Sequence, residues 1–561
     1  MTRAPALAAV LDDFFAAYYR QNPVSATFIG IHDHDDRLPD YSARGMDDAA
    51  SQWAAIRRRV RALPAEPLTE AEALDRALLD GVLDILAWED ASAHFHRGNP
   101  CLYTGEAVFG VMALFLRDLP APAAARRIEA AIARMRAVPR LLAEGQGNLR
   151  RAPRPWIERA VRECIGARAF FETGADILIH DHAIRDPRFR DAAGAAAAAF
   201  AGFRSYLEGT LAPDAHEDCG CGEEAFDLLL RRGHFLEIDA AAVRAAAQEE
   251  IARCEAALAA GAAEFGARTW REALAQLAGR HPAAERYYAR YAEVWEEMRR
   301  AAVAHRLLTW PEYPIRYVPQ PAWARAAAPS LYFLAYRSPA PCDRLPTVDY
   351  LVPPVDPEMP PDEQARRLRA TNDSVIKLNH VIHHGGIGHH VQNWHAQRAA
   401  SRIGQVAAVD CAGRIALFCG GTMAEGWACY ATDLMEEIGV LTPLERYAQI
   451  HARLRMAVRA LVDVELHHGA LTVDAAAAVY QERAGLAPEA ARAEAVKNSM
   501  FPGTAMMYSA GRNLIHGLRR DLAAAHPGRF DLRGFHDRFL AHGSVPVALV
   551  AAAMRKAYAR V

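Results

Sequence analysis

Between Asn379 and Gln397 the chain reads NHVIHHGGIGHHVQNWHAQ, with six histidines (380, 383, 384, 389, 390 and 395) inside sixteen residues. Twenty-three histidines in 561 residues would put fewer than one in such a window, so the cluster is not compositional. Imidazole is the commonest metal-binding side chain and titrates near neutrality, so converging histidines point to a metal or to proton transfer. Spacing restricts which can act together. His380 and His384 stand four apart, on one face of a helix, and could chelate one ion directly. His383 and His389 are six apart, out of phase for a straight helix. Gly385, Gly386 and Gly388 lie between them, and such a glycine run permits a turn that folds the second histidine back toward the first.

A carboxylate to complete such a site stands downstream, in GGTMAEGWACYATDLMEEIG. Trp427, Tyr430, Ala431, Leu434 and Ile438 follow helical spacing and Gly439 is a helix stop, which puts Glu425 on the opening turn of an amphipathic helix. Gly420, Gly421 and Gly426 allow the backbone there to be approached closely.

Taken together these residues resemble the bacterial "domain of unknown function 885" family, assigned to the zincin-like metallopeptidase clan. Its central motif is His-Glu-Ala-x-Pro-Gly-His-His-x-Gln, on which His383, Gly388, His389, His390 and Gln392 fall, and Glu425-Gly426-Trp427-Ala428-x-Tyr430 is similar to its second motif. Pro23 to Gly30 with Asp36 to Ser42 resembles the opening signature. Arg459, Asp463 and His467 match a later pattern, and Pro502-Gly503-x-Ala505-x-x-Tyr508-x-x-Gly511 the carboxy-terminal one. The resemblance implies a mainly α, multi-helix zincin-like fold with a few short strands and one divalent metal held by His383, His389 and Glu425. Zinc is the first expectation; iron and copper are the alternatives. It also implies that Tyr508 and His467 face the metal, and that Arg512 holds a substrate carboxylate, with His390 a further substrate contact. Two positions depart from the family pattern: His384 replaces the motif glutamate and Ile387 the motif proline. That glutamate relays the proton in zinc peptidases; a neutral imidazole accepts a proton but carries no negative charge, so His384 is read as an altered catalytic position.

The elements that must carry these groups are chiefly helices. Apolar residues recur every three or four positions across Leu7 to Tyr19, Ile128 to Gln146, Ala240 to Ala260, Tyr291 to Leu308 and Glu445 to His467. Strand character is confined to Ser330 to Tyr336 and Ile415 to Cys419. Thirteen prolines between Pro311 and Pro361 forbid a continuous helix there and predict a surface crossing. The expected organisation is a helical lobe over 1–215, a helical segment over 216–310, the proline-rich crossing over 311–361 and a metal-site lobe over 362–561.

Composition closes off other classes. Lys+Arg number 65 against Asp+Glu 68, so no basic excess suggests nucleic acid. Hydrophobic residues at 52% suffice for a packed core, no run is long enough for a membrane span, and no phosphate-binding glycine fingerprint follows a strand. Nine scattered cysteines, Asp12 and Asp13 within the first apolar stretch, and Cys219-Gly-Cys221 without a second pair predict the cytoplasm rather than a disulfide framework. His32-Asp33-His34-Asp35-Asp36 reads as an Asp-rich turn rather than a second metal site.

Three functions fit. The first is a metallohydrolase acting on an amide-like bond in a small molecule or short peptide. The second is a non-hydrolytic oxidase, oxygenase or lyase using iron or copper, toward which His384 and His390 would shift the metal preference. The third is an inactive, peptide-binding relative. Metal analysis separates them; oligomeric state and pathway are not written in these motifs.

Overall fold

The computed structural model describes residues 5–64, 67–116, 121–331, 340–406 and 419–559. They form a mainly helical fold with a single two-stranded sheet among them. The helices Pro5–Gln21, Ala121–Asn148, Ala240–Gly261 and Pro443–His467 enclose four of the stretches expected from apolar periodicity. The fifth lies four residues earlier than expected: the helix Tyr287–Ala304 stops before His305, Arg306 adopts φ 51°, and the Leu307 N–H returns to Ala302. Leu307 and Leu308 are thereby turned into the core, the apolar contact that commonly seals a helix end.

The strands, β1 (Ile315–Pro319) and β2 (Val348–Val352), pair in parallel inside the proline-rich stretch. Of the expected strand patches, residues 332–336 and 415–418 lie outside the described residues. The sheet reaches the histidine segment through its tyrosines. Tyr317 and Tyr350 sit opposite each other, and the Tyr350 hydroxyl meets His380 Nδ1 at 2.6 Å.

Among the described residues two large apolar cores, with two smaller clusters beside them, pack the chain, and each large core joins residues from early and late in the sequence. Phe14, Tyr18 and Leu78 share one with Trp427, Leu434 and Val550; Trp156 and Phe200 share the other with Leu454, Tyr480 and Val496. Polar ties cross the same boundaries. The Trp156 indole donates to Ser499 Oγ at 2.8 Å, and Asp75 accepts from the Ser401 hydroxyl and the Arg402 and Ile403 N–H groups. The described cysteines are free, and among the described residues no helix is long and apolar enough to cross a membrane.

The Asp-rich segment is a turn, and His32 pins it to the proline-rich stretch, with Nδ1 2.8 Å from Asp35 and Nε2 2.8 Å from Asp343. Hydrogen bonds to Asp343 and then Asp35 raise the His32 pKa to about 9. Because the folded value lies above the unfolded value of about 6.5, this clamp contributes fully below that pH and is lost as pH rises through about 9. The thermal midpoint of wild type, relative to His32→Asn, should therefore decline across that window; parallel curves for the two proteins would reject the clamp.

Candidate metal centre

The histidine segment folds as a wide-bore π-helix, Ile376–Gly385, a sharp glycine turn, and a short α-helix, His389–Ala396. π-Helical hydrogen bonding is rare and is associated with functional sites. The turn is fixed by side chains from elsewhere: the Trp295 indole donates to the Gly385 carbonyl and the Trp427 indole to the Ile387 carbonyl, each at 2.8 Å. The Gly388 N–H donates to the Ile382 carbonyl at 2.9 Å, drawing the chain back on itself. Lys377, on the same π-helix, reaches Glu445 at 3.0 Å, the carboxylate that also completes the capping box of Pro443–His467. The histidine segment is thus joined to the long helix behind it.

Glu425 comes from Gly421–Glu437, which ends with Gly439 in the left-handed region, as expected from sequence. That helix crosses Met507–Ala525 so closely that a Cβ on Gly426 would sit 2.6 Å from the Gly511 backbone. The crossing brings Tyr508 and Glu425 to one cavity.

The structure brings His383, His389 and Glu425 together. His383 Nε2 lies 3.3 Å and His389 Nε2 3.4 Å from the same Glu425 Oε2. A tetrahedral ion with ligands about 2.0–2.1 Å away has ligand–ligand edges of about 3.3–3.4 Å, so this spacing suits one. Glu425 Oε2 is buried and makes no hydrogen bond, although both imidazoles stand beside it. Burial lowers the His383 pKa. Burial also works to raise the Glu425 carboxyl, but His389 and His383 outweigh it and hold it well below the usual glutamate range. A neutral imidazole and an ionised carboxylate are the forms in which these side chains bind metal.

His384 joins the cluster: the ligand nitrogens of His383, His384 and His389 all lie within 4.8 Å of one another, a group able to hold a metal ion. His384 Nδ1 is 2.7 Å from the Asn379 carbonyl, which assigns the proton to Nδ1 and the lone pair to Nε2. His380 stands apart, its Nδ1 held by Tyr350, so the i,i+4 pairing of His380 with His384 is not what the fold uses.

The His383, His384 and Glu425 side chains open into a cavity of about 1080 Å³ that Tyr508, Phe28 and Trp88 also line. That is the upper end of the roughly 300–1,000 Å³ usual for small-molecule sites. Tyr508 presents its ring to the Arg459 guanidinium, 4.3 Å away.

Three residues expected at the site do other work. His467 is fully buried, rests its Nε2 on the Asn498 carbonyl at 3.0 Å, and packs between His94 and Phe226 rather than lining the cavity with His383 and Glu425. Burial, with His94 and His468 nearby, pulls its pKa down to about 3, so it is neutral. His390 is likewise buried, stacked on Tyr313 with Nε2 2.7 Å from the Tyr313 carbonyl. Arg512 lines the cavity but is committed to Asp433, which it shares with Arg453 and His516. The helical stripe of Arg459, Asp463 and His467 therefore divides its labour. Arg459 faces the cavity, Asp463 accepts the Gly503 and Met506 N–H groups at 3.0 Å to hold the turn before Tyr508, and His467 braces Asn498. Several cavity residues carried no signal in the sequence, among them Arg159, Arg271, Arg453 and Arg455.

Comparison with known proteins agrees with this fold. The description "Bacterial protein of unknown function (DUF885)" matches residues 23–554. No curated protein matches the chain. A candidate lipoprotein of unknown function from Shewanella oneidensis superposes with a TM-score of 0.78 at 21% identity, over 99% of this chain and 100% of its own. A candidate lipoprotein from Colwellia psychrerythraea superposes with a TM-score of 0.80 at 17% identity, again over 99% and 100%. At such identities the likeness speaks for the fold. The family match spans nearly the whole sequence, and the chain belongs to the DUF885 family of bacterial proteins of unknown function.

Proposed function

We propose that this protein is a zincin-like metallohydrolase that cleaves an amide-like bond in a short peptide or peptide-like small molecule, with one divalent ion, zinc first, held by His383, His389 and Glu425. The observation that carries the reading is the pair of 3.3 and 3.4 Å contacts converging on Glu425 Oε2 at the wall of a large cavity. An ion there would polarise the substrate carbonyl and make hydroxide accessible near neutral pH. The remaining steps belong to the protein. His384 Nε2 accepts the proton of the attacking water and returns it to the leaving nitrogen, its ring held by the Asn379 carbonyl. The Tyr508 hydroxyl donates toward the carbonyl oxygen as charge builds on it, and Arg459 over its ring fixes the phenol.

The test is metal analysis of protein purified without added metal, together with peptide-library cleavage by wild type, His384→Ala and His384→Glu. About one zinc per chain is expected, with cleavage slowed about 10²–10⁴-fold in His384→Ala at unchanged zinc content. His384→Glu should cleave, since it supplies the carboxylate of the family motif. Absence of metal, or metal without turnover on any peptide, rejects the hydrolase and favours an inactive peptide-binding relative. The grouping of three histidine nitrogens within 4.8 Å supports a second reading, in which His384 is a ligand of iron or copper and the reaction is not hydrolysis. In that case His384→Ala loses metal as well as activity. The free thiols support a cytoplasmic location, while the lipoprotein descriptions of the two structural relatives make the cell envelope the alternative; fractionation decides.

A further inference from the structure

The cavity is lined by arginines, and their partners separate them. Arg159 pairs with Glu163 at 2.9 Å, Arg453 with Asp433 at 2.7 Å, and Arg512 with Asp433. Arg271 donates to the Glu482 carbonyl at 2.6 Å and lies over the Trp270 ring. Arg459 has Glu494 at 2.9 Å. Arg455 has no carboxylate in ion-pairing range among the described residues, yet it lines the same cavity and is exposed there.

Arg455 and Arg459 stand one turn apart on Pro443–His467, so two guanidinium groups share a helix face and one counter-ion. Like charges so spaced repel. Protein crowds the uncompensated one closely enough that desolvation, then Arg459, lowers its pKa. Arg459 is held over the Tyr508 ring and against Glu494, and Arg455 lines the same cavity one helical turn before it.

We propose that Arg455 receives the terminal carboxylate of the substrate, so that the cavity takes peptides or N-acyl amino acids by their carboxyl end while the metal cluster stands over an amide bond preceding it. A guanidinium presents paired N–H donors that match a carboxylate, and the bound anion supplies the counter-ion the protein omits. The identity of the bond cut rests on the hydrolase reading above; the carboxylate site does not.

The experiment is equilibrium dialysis of the purified full chain against a tripeptide library, half of it free acids and half carboxamides, with retained ligands identified by mass. Wild type should retain free acids over the matching carboxamides by about 10- to 100-fold, the range for a charge-assisted hydrogen bond. Arg455→Gln should abolish the preference and Arg455→Lys keep part of it, with thermal midpoints reporting that each variant is folded. Equal retention of acids and carboxamides by wild type, or a preference that survives in Arg455→Gln, overturns the proposal. Retention of carboxamides bearing Asp or Glu as strongly as free acids overturns it too, because the site would then take a side-chain carboxylate. Acid-selective retention without cleavage leaves Arg455 as the carboxylate site and removes the hydrolase reading instead.

Discussion

Glu425→Gln is expected to fold, to lose its metal, and to lose activity by more than about a thousandfold, because Lewis-acid assistance is worth several kcal/mol. The substitution keeps the shape of the side chain and removes its charge. It leaves His383 and His389 where the glycine turn puts them, so what is tested is the anionic donor at the meeting point of the 3.3 and 3.4 Å contacts. An ion bound only by the folded chain stabilises it, by about 2.7 kcal/mol at a hundredfold excess over its dissociation constant. Chelator should therefore lower the thermal midpoint of wild type and leave Glu425→Gln unmoved. Elemental analysis showing wild-type stoichiometry in the variant would sink the assignment.

Gly388→Ala should be at least as damaging by a different route. A Cβ at this position would lie 1.9 Å from the His383 carbonyl oxygen and 2.6 Å from its carbon, and both atoms are backbone that cannot rotate away. The turn must open, carrying His389 away from His383. The cost should exceed the 1–3 kcal/mol usual for overpacking (about twofold or more), and metal content should fall with it. Gly517, on Met507–Ala525 with open space around it, is the control: alanine there should stabilise by up to about 1 kcal/mol. Denaturant unfolding of the two variants with metal analysis decides. Wild-type stability and metal in Gly388→Ala would mean that the turn is not what joins the histidines.

What could be read in advance was local. The glycines between His383 and His389 announced a fold-back because no regular helix brings residues six apart together, and the helices announced themselves by apolar spacing. What could not be read depended on distant partners. β1 and β2 are parallel strands whose register joins Ile315 to Val348, and neither segment alternates strongly enough to declare itself beside so many prolines. Arg512 looked available until the fold set Asp433 against it, and nothing in the sequence marked Arg455 as lining a cavity. His467 and His390 carry the right chemistry for a site, but residue type does not encode which way a buried ring faces; backbone carbonyls of Asn498 and Tyr313 settle that.

The two interleaved cores set a clock for the ribosome. Trp156 and Ser499, joined by a hydrogen bond, are 343 positions apart. At about 5–20 residues per second, roughly 20 to 70 s of synthesis separate them. Throughout that interval the early helices can pack on one another, as Ala121–Asn148 does on Pro187–Tyr206, but the late helices that complete each core have not been made. Neither core is complete until its late helices arrive, so amino-terminal fragments are expected to expose the apolar faces that those helices cover.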